Sequence, residues 1–187
     1  MTTSPTQATV DHLQRIRRLG RMMVLACTAL MALLPVALFF YWATASAPEL
    51  AVQGNLPPGA LLLPLQAWQR VAAAAVTAVP LVLLLMGLRQ ARQCFALFAQ
   101  GQVFSARATG YLRRFAGWVA AAAFAAIVAG PVTSVLLTLQ NPPGARHLAV
   151  GISSNHLFTL FFAALVWLMA DVIGQGQVLA DENERFV

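Results

Sequence analysis

Charge is scarce in this sequence, and one kind of charged side chain is missing altogether. The 187 residues include no lysine, and charged residues make up only 10% of the chain, whereas soluble domains carry about 25%. Hydrophobic residues make up 59% of the chain, and the mean hydropathy is +0.72. So few charges cannot cover the surface of a soluble domain. The composition therefore excludes a soluble globular fold, a disordered chain and a disulfide-rich secreted domain, and it indicates an integral membrane protein.

Motifs for metal, redox and phosphate chemistry are also absent. The two cysteines, Cys27 and Cys94, form no CxxC pair, and the chain has neither a GxxxxGK(S/T) loop nor a GxGxxG loop. His147 and His156 share one loop, but a third metal ligand would have to be Glu49 from a different loop. We therefore expect no metal site and no cofactor.

A hydrolase of the Ser/His/Asp type is the enzyme class that the sequence comes nearest to. Ser153, Ser154 and His156 cluster before the last apolar run, and Asp171 lies later in that run. Fifteen residues separate His156 from Asp171, which is about 22 Å along a helix. The two side chains would then lie at opposite faces of a membrane, so we expect no catalytic residues and no enzymatic activity.

Four long stretches of the chain contain almost no charge. The gaps between charged residues predict membrane-spanning helices at about 22–45, 71–88, 115–139 and 157–173. About 20 apolar residues are enough to cross a bilayer, and only a helix satisfies its own backbone groups there. The sequence therefore predicts an all-α integral membrane bundle of four transmembrane helices, forming a single domain over residues 1–187.

The arginines are distributed unevenly around these spans. Ten of the twelve lie before the first span, between the second and third, or after the fourth, and only Arg70 and Arg146 lie in the other two loops. Positive side chains favour the cytoplasmic side. We therefore expect an N-in/C-in topology, with a cytoplasmic middle loop (89–114) and a cytoplasmic tail (174–187). Because the arginines flank apolar runs, the expected partner is the lipid bilayer, and no direct nucleic-acid binding is expected.

The two halves of the chain resemble each other. Four marks occur in the same order in each half: an arginine pair, a proline seventeen residues later, an Asn-containing Pro-Pro-Gly-Ala run and a Gln-Gly-Gln-Val run. The first set lies at 17–18, 35, 55–60 and 100–103, and the second at 113–114, 131, 141–145 and 175–178. The ordered set predicts a tandem repeat of two helical hairpins, which is parallel because both halves enter from the cytoplasm.

The middle loop is predicted to be two helical segments joined by a turn. Residues 90–100 continue the second span, Gly101 is placed to end that helix, and Ser105 is a suitable N-cap for the next one. One face of this next helix presents two arginines and a tyrosine: Arg107, Tyr111 and Arg114. This basic stripe either lies on anionic lipid headgroups or docks an acidic partner.

Asp171 is the one acidic residue inside a predicted span, and an intramembrane carboxylate is a functional candidate by default. It either pairs with an arginine of the middle loop, Arg89 or Arg92, or it carries a proton or an ion. The tail adds an acidic cluster, which is either solvated or held against the basic loop. The candidate partner-binding surface comprises Arg107, Tyr111, Arg113, Arg114, Asp181, Glu182 and Glu184.

Two runs in the centre of the chain and one at its C-terminal end carry a family resemblance. The runs FAQGQVFS at 98–105 and LRRFAGW at 112–118 resemble the central signature of the "domain of unknown function 2975" family. The closing run VIGQGQVLADENERFV at 172–187 is similar to that family's C-terminal pattern, but it departs at 185–186, where a Leu-Thr pair is more usual. The resemblance implies a small four-span protein of the bacterial inner membrane with no established enzymatic activity. It also implies a regulatory or sensory role beside a helix-turn-helix DNA-binding regulator.

Three functions are consistent with these patterns. The first is a regulatory membrane protein that holds or releases a cytoplasmic partner, such as the helix-turn-helix regulator. The second is a small transporter or channel subunit, which the repeat and Asp171 favour. The third is an accessory subunit of a larger membrane complex. This is favoured by small residues recurring every four positions on the third span, which would also allow a homo-oligomer.

Overall fold

The computed structural model of the chain describes residues 5–102 and 105–184, and it describes side chains for residue 14 and for 16–102 and 105–176. Regular structure in these ranges is helical throughout. The helices are α1 Pro5–Thr44, α2 Ala47–Gln53, α3 Ala67–Ala99, α4 Ala106–Thr138 and α5 Ser154–Glu184. Because no strand occurs in the described ranges, the predicted all-α fold is confirmed.

Four of the helices are long and apolar enough to cross a membrane. The candidate spans are Ile16–Thr44, Ala67–Ala99, Ala106–Thr138 and Ser154–Gly176. The sequence likewise predicts four spans, although α3 and α4 extend well beyond the uncharged gaps 71–88 and 115–139. The helices continue through the flanking arginines because arginine is a good helix former. Its apolar stem also packs along the helix while its charged head reaches water.

Large side chains face outward from these helices and small ones face inward. Phe39, Phe40 and Phe161 are exposed, whereas much of the buried surface is alanine. The buried alanines of the long helices include Ala73, Ala91, Ala108, Ala116 and Ala170. Lipid solvates large apolar side chains as well as a protein interior does, so helices in a bilayer associate through small residues that let backbones approach. The burial pattern is that of helices surrounded by acyl chains.

The described residues cluster into two contact units. The first unit comprises those within Met1–Met31, Met86–Trp118 and Ala163–Val187, and the second those within Ala32–Leu85 and Val119–Phe162. Each long helix contributes one segment to each unit, so each unit contains four helical segments. The first unit also contains the middle loop, and the second contains α2 and the loops at 54–66 and 139–153.

Glycines set the helix contacts of the first unit. A Cβ atom at Gly20 of α1 would lie 2.7 Å from the backbone nitrogen of Ala99 and 3.0 Å from the carbonyl oxygen of Phe95, both in α3. Only glycine permits so close an approach of the two backbones. Gly87 of α3 similarly packs against Trp118 of α4, whose Cβ is 3.3 Å from the position that a Cβ on Gly87 would occupy.

Buried polar side chains hold the second unit together around a hydrophobic core that includes Trp42, Leu50 and Leu137. Gln69, at the start of α3, donates from Nε2 to the carbonyl oxygen of Leu136 at 3.0 Å. Since α4 ends at Thr138, this bond satisfies a carbonyl that has no partner within its own helix. Side-chain hydrogen bonds thus join the ends of neighbouring helices.

Asn141 joins the two loops of the second unit to each other. Its Nδ2 donates to the carbonyl oxygen of Ala60 at 2.7 Å and to that of Ala145 at 2.9 Å. The side chain is only 3% exposed. One buried amide therefore anchors corresponding points of both loops.

These two loops contain the same turn. In the turns at 57–60 and 142–145, the N–H of the fourth residue donates to the carbonyl of the first at 3.1 and 3.0 Å. The third residue of each is a glycine, with φ of +80° and +95°, and the second is a proline, as a type II turn favours. The matched turns are what the predicted repeat requires, and the repeat itself stays a prediction.

Candidate functional site

The turn at the end of α3 begins the predicted partner-binding region. The N–H of Gln102 donates to the carbonyl of Leu97, and the N–H of Gly101 donates to that of Phe98, both at 3.0 Å. These two bonds, with φ of +84° at Gly101, form a Schellman motif, so the predicted helix stop is confirmed. Arg17 lies against this turn, with Nη2 3.3 Å from the position that a Cβ on Gly101 would occupy.

Ser105 begins the next helix in the way that the sequence predicts. Its Oγ accepts a hydrogen bond from the N–H of Ala108 at 3.2 Å, which is the bond of an N-cap. Cys94 of α3 donates from Sγ to the carbonyl of Ala108 at 3.5 Å. This contact joins the last turns of α3 to the first turn of α4, and it gives the buried cysteine a structural role.

The predicted basic stripe lies on the first turns of α4. Arg107 and Arg114 are exposed, and Tyr111 between them is partly buried. Neither arginine has a salt-bridge partner among the described residues. Seven positions separate the two arginines, so their Cα atoms are about 10 Å apart along the helix axis. Both arginines therefore present exposed, unpaired charge within the part of the chain whose side chains are described.

Arg113, by contrast, is held by α5. Its Nη1 lies 3.4 Å from Oδ1 of Asp171, and its Cζ lies 5.1 Å from the centroid of a ring of Trp167. The Arg113 side chain is 57% exposed and that of Asp171 is 40% exposed. A pair this accessible contributes only about 0–1 kcal/mol. Of the arginines predicted to bind a partner, Arg113 is the one that has an acidic contact among the described side chains.

This ion pair is the middle one of three contacts along the antiparallel helices α4 and α5. On one side of it, a Cβ on Gly174 would lie 3.5 Å from Cγ2 of Thr109, and on the other a Cβ on Gly117 would lie 3.3 Å from the ring of Trp167. The contacts recur every four residues on α4 and every three to four on α5, which is the helical spacing of a single face. The sequence signal for this register was the small residue Gly117 on the third span.

Asp171 pairs with an arginine of the predicted middle loop (89–114), as expected, but with a different arginine from the two that the sequence suggested. The salt bridge goes to Arg113 of α4, and not to Arg89 or Arg92, in the part of the chain whose side chains are described. Asp171 lies on α5, and the register of α5 against α4 brings residue 113 to its level. Charge spacing along the sequence cannot reveal such a register, because it depends on where Gly117 and Gly174 allow the helices to meet.

The acidic residues of the tail lie at the end of α5. The backbone of α5 extends to Glu184, but the side chains of Asp181, Glu182 and Glu184 lie outside the described residues. Their predicted contact with the basic stripe therefore stays a prediction.

Ser153 and His156 are used at the start of α5. Oγ of Ser153 lies 3.1 Å from Nδ1 of His156, and the Ser153 backbone N–H donates to the same nitrogen at 3.3 Å. The N–H of His156 in turn donates to the carbonyl of Ser153 at 3.0 Å. These bonds close the first turn of the helix. The geometry therefore assigns the serine and the histidine to a helix cap.

The charges of the two units differ sharply. Eight exposed arginines lie in the first unit, where Asp171 is the only acidic residue with a described side chain. These arginines are Arg17, Arg18, Arg21, Arg89, Arg92, Arg107, Arg113 and Arg114. Among described side chains, the second unit has two arginines, Arg70 and Arg146, and one acid, Glu49. Nearly all the unbalanced positive charge therefore belongs to the first unit.

Four long apolar helices, glycine and alanine contacts between them, and a basic first unit define an all-α, multi-pass membrane protein. Residues 58–187 match the profile of a family described as "Protein of unknown function (DUF2975)". Since the match covers more than half of the chain, the protein belongs to this family, as the two sequence signatures predict. No curated protein and no solved structure matches the chain.

Proposed function

We propose that this protein is a non-enzymatic regulator of the bacterial inner membrane, which holds an acidic cytoplasmic protein on the basic stripe of α4. The observation that carries the proposal is the pair of exposed arginines, Arg107 and Arg114, which have no acidic partner among the described residues. A partner that covers these two guanidinium groups would have to supply a carboxylate for each of them. A partner that supplies such carboxylates gains charge-assisted hydrogen bonds.

The topology that the proposal needs is N-in/C-in. The ten-to-two distribution of arginines supports it, as does the gathering of eight described arginines in the first unit. A reporter that is active only in the periplasm, fused after Arg107 or Val187, is expected to be inactive. Activity at either point would contradict the topology and the proposal with it.

Family membership supports a candidate partner. The resemblance implies a neighbouring gene for a small helix-turn-helix regulator, so the product of such a gene is the protein to test. A membrane anchor that binds this regulator would keep it from DNA and would release it when the bound surface changes. The partner would present acidic side chains about 10 Å apart, to match Arg107 and Arg114.

The decisive experiment measures binding of the purified regulator to the membrane protein in lipid nanodiscs. An Arg107→Gln/Arg114→Gln variant is expected to bind at least tenfold more weakly, and the wild-type affinity should fall with added salt. Arg146→Gln is the matched control, because Arg146 is an exposed arginine of the second unit. Equal binding by the double variant and the control would remove the stripe from the mechanism.

The same experiment tests the lipid interpretation of the stripe. If Arg107 and Arg114 lie only on anionic headgroups, the double variant loses affinity for anionic vesicles and its affinity for the regulator is unchanged. If they dock the regulator, the loss persists in nanodiscs made of zwitterionic lipid. The two readouts separate a protein partner from a membrane surface.

A further inference from the structure

A groove runs between α1 and α3 in the second unit. It encloses about 460 Å³, within the range of about 300–1,000 Å³ that is typical of small-ligand sites. Its walls are residues at helical spacing on the two helices. They include Leu38, Phe39 and Trp42 of α1 and Arg70, Ala74 and Ala75 of α3.

The groove exists because its two walls differ in side-chain size. The α1 wall is large, with Leu38, Phe39 and Trp42, whereas the α3 wall is reduced to alanine over most of its length. The α3 wall extends from residue 70 to residue 78, or about 12 Å along the helix axis. Both helical segments belong to candidate membrane spans. This length of the groove is close to the roughly 15 Å thickness of the hydrocarbon in one leaflet.

Arg70 marks one end of this apolar groove. Among the described residues that line the groove it is the only charged one, and it is partly buried. Its Nη1 donates a long hydrogen bond, 3.5 Å, to the carbonyl of Trp42, and it has no salt bridge in the described part of the chain. The remaining donors of the guanidinium are free to bind an anion, and phosphate suits their planar fork.

Trp42 forms a fixed wall beside Arg70. The indole is 5% exposed, and its Nε1 donates to Oγ1 of Thr77 at 2.9 Å. Thr77 in turn donates to the carbonyl of Ala73 at 3.0 Å. Because the ring is held by α3, the space beside it stays open when no ligand is present. The groove is therefore formed in advance.

We infer that this groove binds one acyl chain of an anionic phospholipid of the bilayer, with the lipid phosphate on Arg70. The apolar walls match a hydrocarbon chain, and the single guanidinium at one end matches a headgroup attached to that chain. The bilayer supplies this lipid from the side on which the groove opens. The site lies in the second unit, so it is separate from the basic stripe proposed to bind a protein.

The test uses Trp42 as a reporter. A Trp68→Phe/Trp118→Phe/Trp167→Phe variant leaves Trp42 as the single tryptophan, in vesicles of phosphatidylcholine with a small fraction of brominated lipid. Brominated phosphatidylglycerol is expected to quench Trp42 at least twofold more strongly than brominated phosphatidylcholine at the same mole fraction, with saturation. Equal quenching by the two lipids would overturn the inference.

Three substitutions in this single-tryptophan protein sharpen the result. Arg70→Gln is expected to abolish the preference for phosphatidylglycerol, whereas Arg146→Gln, which removes the same charge from the same unit, is expected to preserve it. Ala75→Phe fills the groove and should reduce quenching by both lipids, with helicity checked by circular dichroism. A preference that survives Arg70→Gln would overturn the inference, as would quenching by a brominated fatty acid but not by brominated phosphatidylglycerol.

Discussion

The two contact units hold segments of the same four helices by different means. In the first unit, glycines allow close contacts between helices: Gly20 faces the backbone of α3 and Gly117 faces the ring of Trp167. The ion pair of this unit is exposed. In the second unit, buried amides and hydroxyls bind the ends of the helices and the loops, as Gln69 and Asn141 do. Exposed charge is concentrated in the first unit, and a groove with one arginine lies in the second.

This difference indicates which contacts of each unit a ligand can displace without unfolding the protein. An exposed ion pair such as Arg113–Asp171 contributes about 0–1 kcal/mol, so a ligand can displace it. A buried hydrogen bond that loses one partner costs about 1–3 kcal/mol, so the loops of the second unit are fixed. We therefore expect ligands to alter the first unit by replacing contacts, and to occupy the second unit without rearranging it.

The largest expected loss of stability comes from a substitution in the polar core of the second unit. Asn141→Ala removes the donor to two carbonyls, of Ala60 and Ala145, and should lower the free energy of unfolding by about 2–5 kcal/mol. Asn55, the corresponding residue of the predicted repeat, is exposed with φ of +51°. Asn55→Gly is therefore expected to change stability by less than about 0.5 kcal/mol. Unfolding in mixed micelles of increasing SDS content measures both, and similar losses would contradict this asymmetry.

The next effect tests the backbone contact of the first unit. A methyl group at Gly20 would meet the backbone of α3 at 2.7 Å, so Gly20→Ala should destabilise the protein by about 1–3 kcal/mol. Gly110 on α4 has no heavy atom within 4 Å of the same position. Gly110→Ala should stabilise the helix by about 0.5–1 kcal/mol. The same SDS titration gives both values, and a shared sign would mean that close approach is not what holds α1 to α3.

A smaller effect concerns the tail. If the acidic cluster competes with a partner for the basic stripe, deletion of residues 181–187 should tighten regulator binding by up to about fivefold. This corresponds to the roughly 0–1 kcal/mol of an exposed pair. The tighter binding should remain sensitive to salt. Binding unchanged both by the deletion and by Arg107→Ala/Arg113→Ala/Arg114→Ala would exclude the tail and the stripe together.

Asp171 allows a direct test of the transport hypothesis. Asp171→Asn removes the charge facing Arg113, and we expect a loss of at most about 1 kcal/mol in stability because the pair is exposed. A double-mutant cycle with Arg113→Gln should return a coupling of the same size. Proton or cation flux into proteoliposomes is expected to be the same in wild type and variant. A flux that is present in the wild type and lost in Asp171→Asn would establish Asp171 as an ion carrier.

Much of the fold could be predicted because the sequence patterns that specify it involve residues close together in the chain. Gaps in charge predict the four spans, Gly101 predicts the end of α3, and Ser105 predicts the start of α4, since each depends on a few neighbouring residues. The particular arginine that pairs with Asp171 could not be predicted, because charge spacing along the sequence does not show where Gly117 and Gly174 allow α4 and α5 to meet. The role of Asn141 was equally hidden, since the predicted repeat pairs it with Asn55, which is exposed in the structure.

One local pattern in the sequence indicates the start of the short helix α2. Ser46 and Glu49 have the Ser-x-x-Glu spacing of a capping box, and Pro48 lies in the first turn, where proline is tolerated. The structure has α2 at this point, beginning directly after Ser46. Long apolar runs do not reveal a helix of seven residues, although its cap is well specified by Ser46 and Glu49.

The smallest expected effect is the pH response of this cap. The backbone N–H of Ser46 donates to Oε2 of Glu49 at 2.7 Å, and this bond, with a second from the Ser46 side chain, holds the pKa of Glu49 below its ordinary value of 4.5. A lowered pKa in the folded state stabilises α2 at pH values above 4.5, and the stabilisation is lost as the pH falls through the folded-state pKa. Hydrogen exchange at the amides of Leu50 and Gly54, corrected for intrinsic rates, should therefore accelerate below pH 4.5 in the wild type. Glu49→Gln is the matched control, since glutamine keeps a side-chain oxygen but does not titrate. Its corrected exchange rates should be independent of pH over the same range. A pH response as large in Glu49→Gln as in the wild type would assign the titration to another group and leave the cap without a measurable contribution.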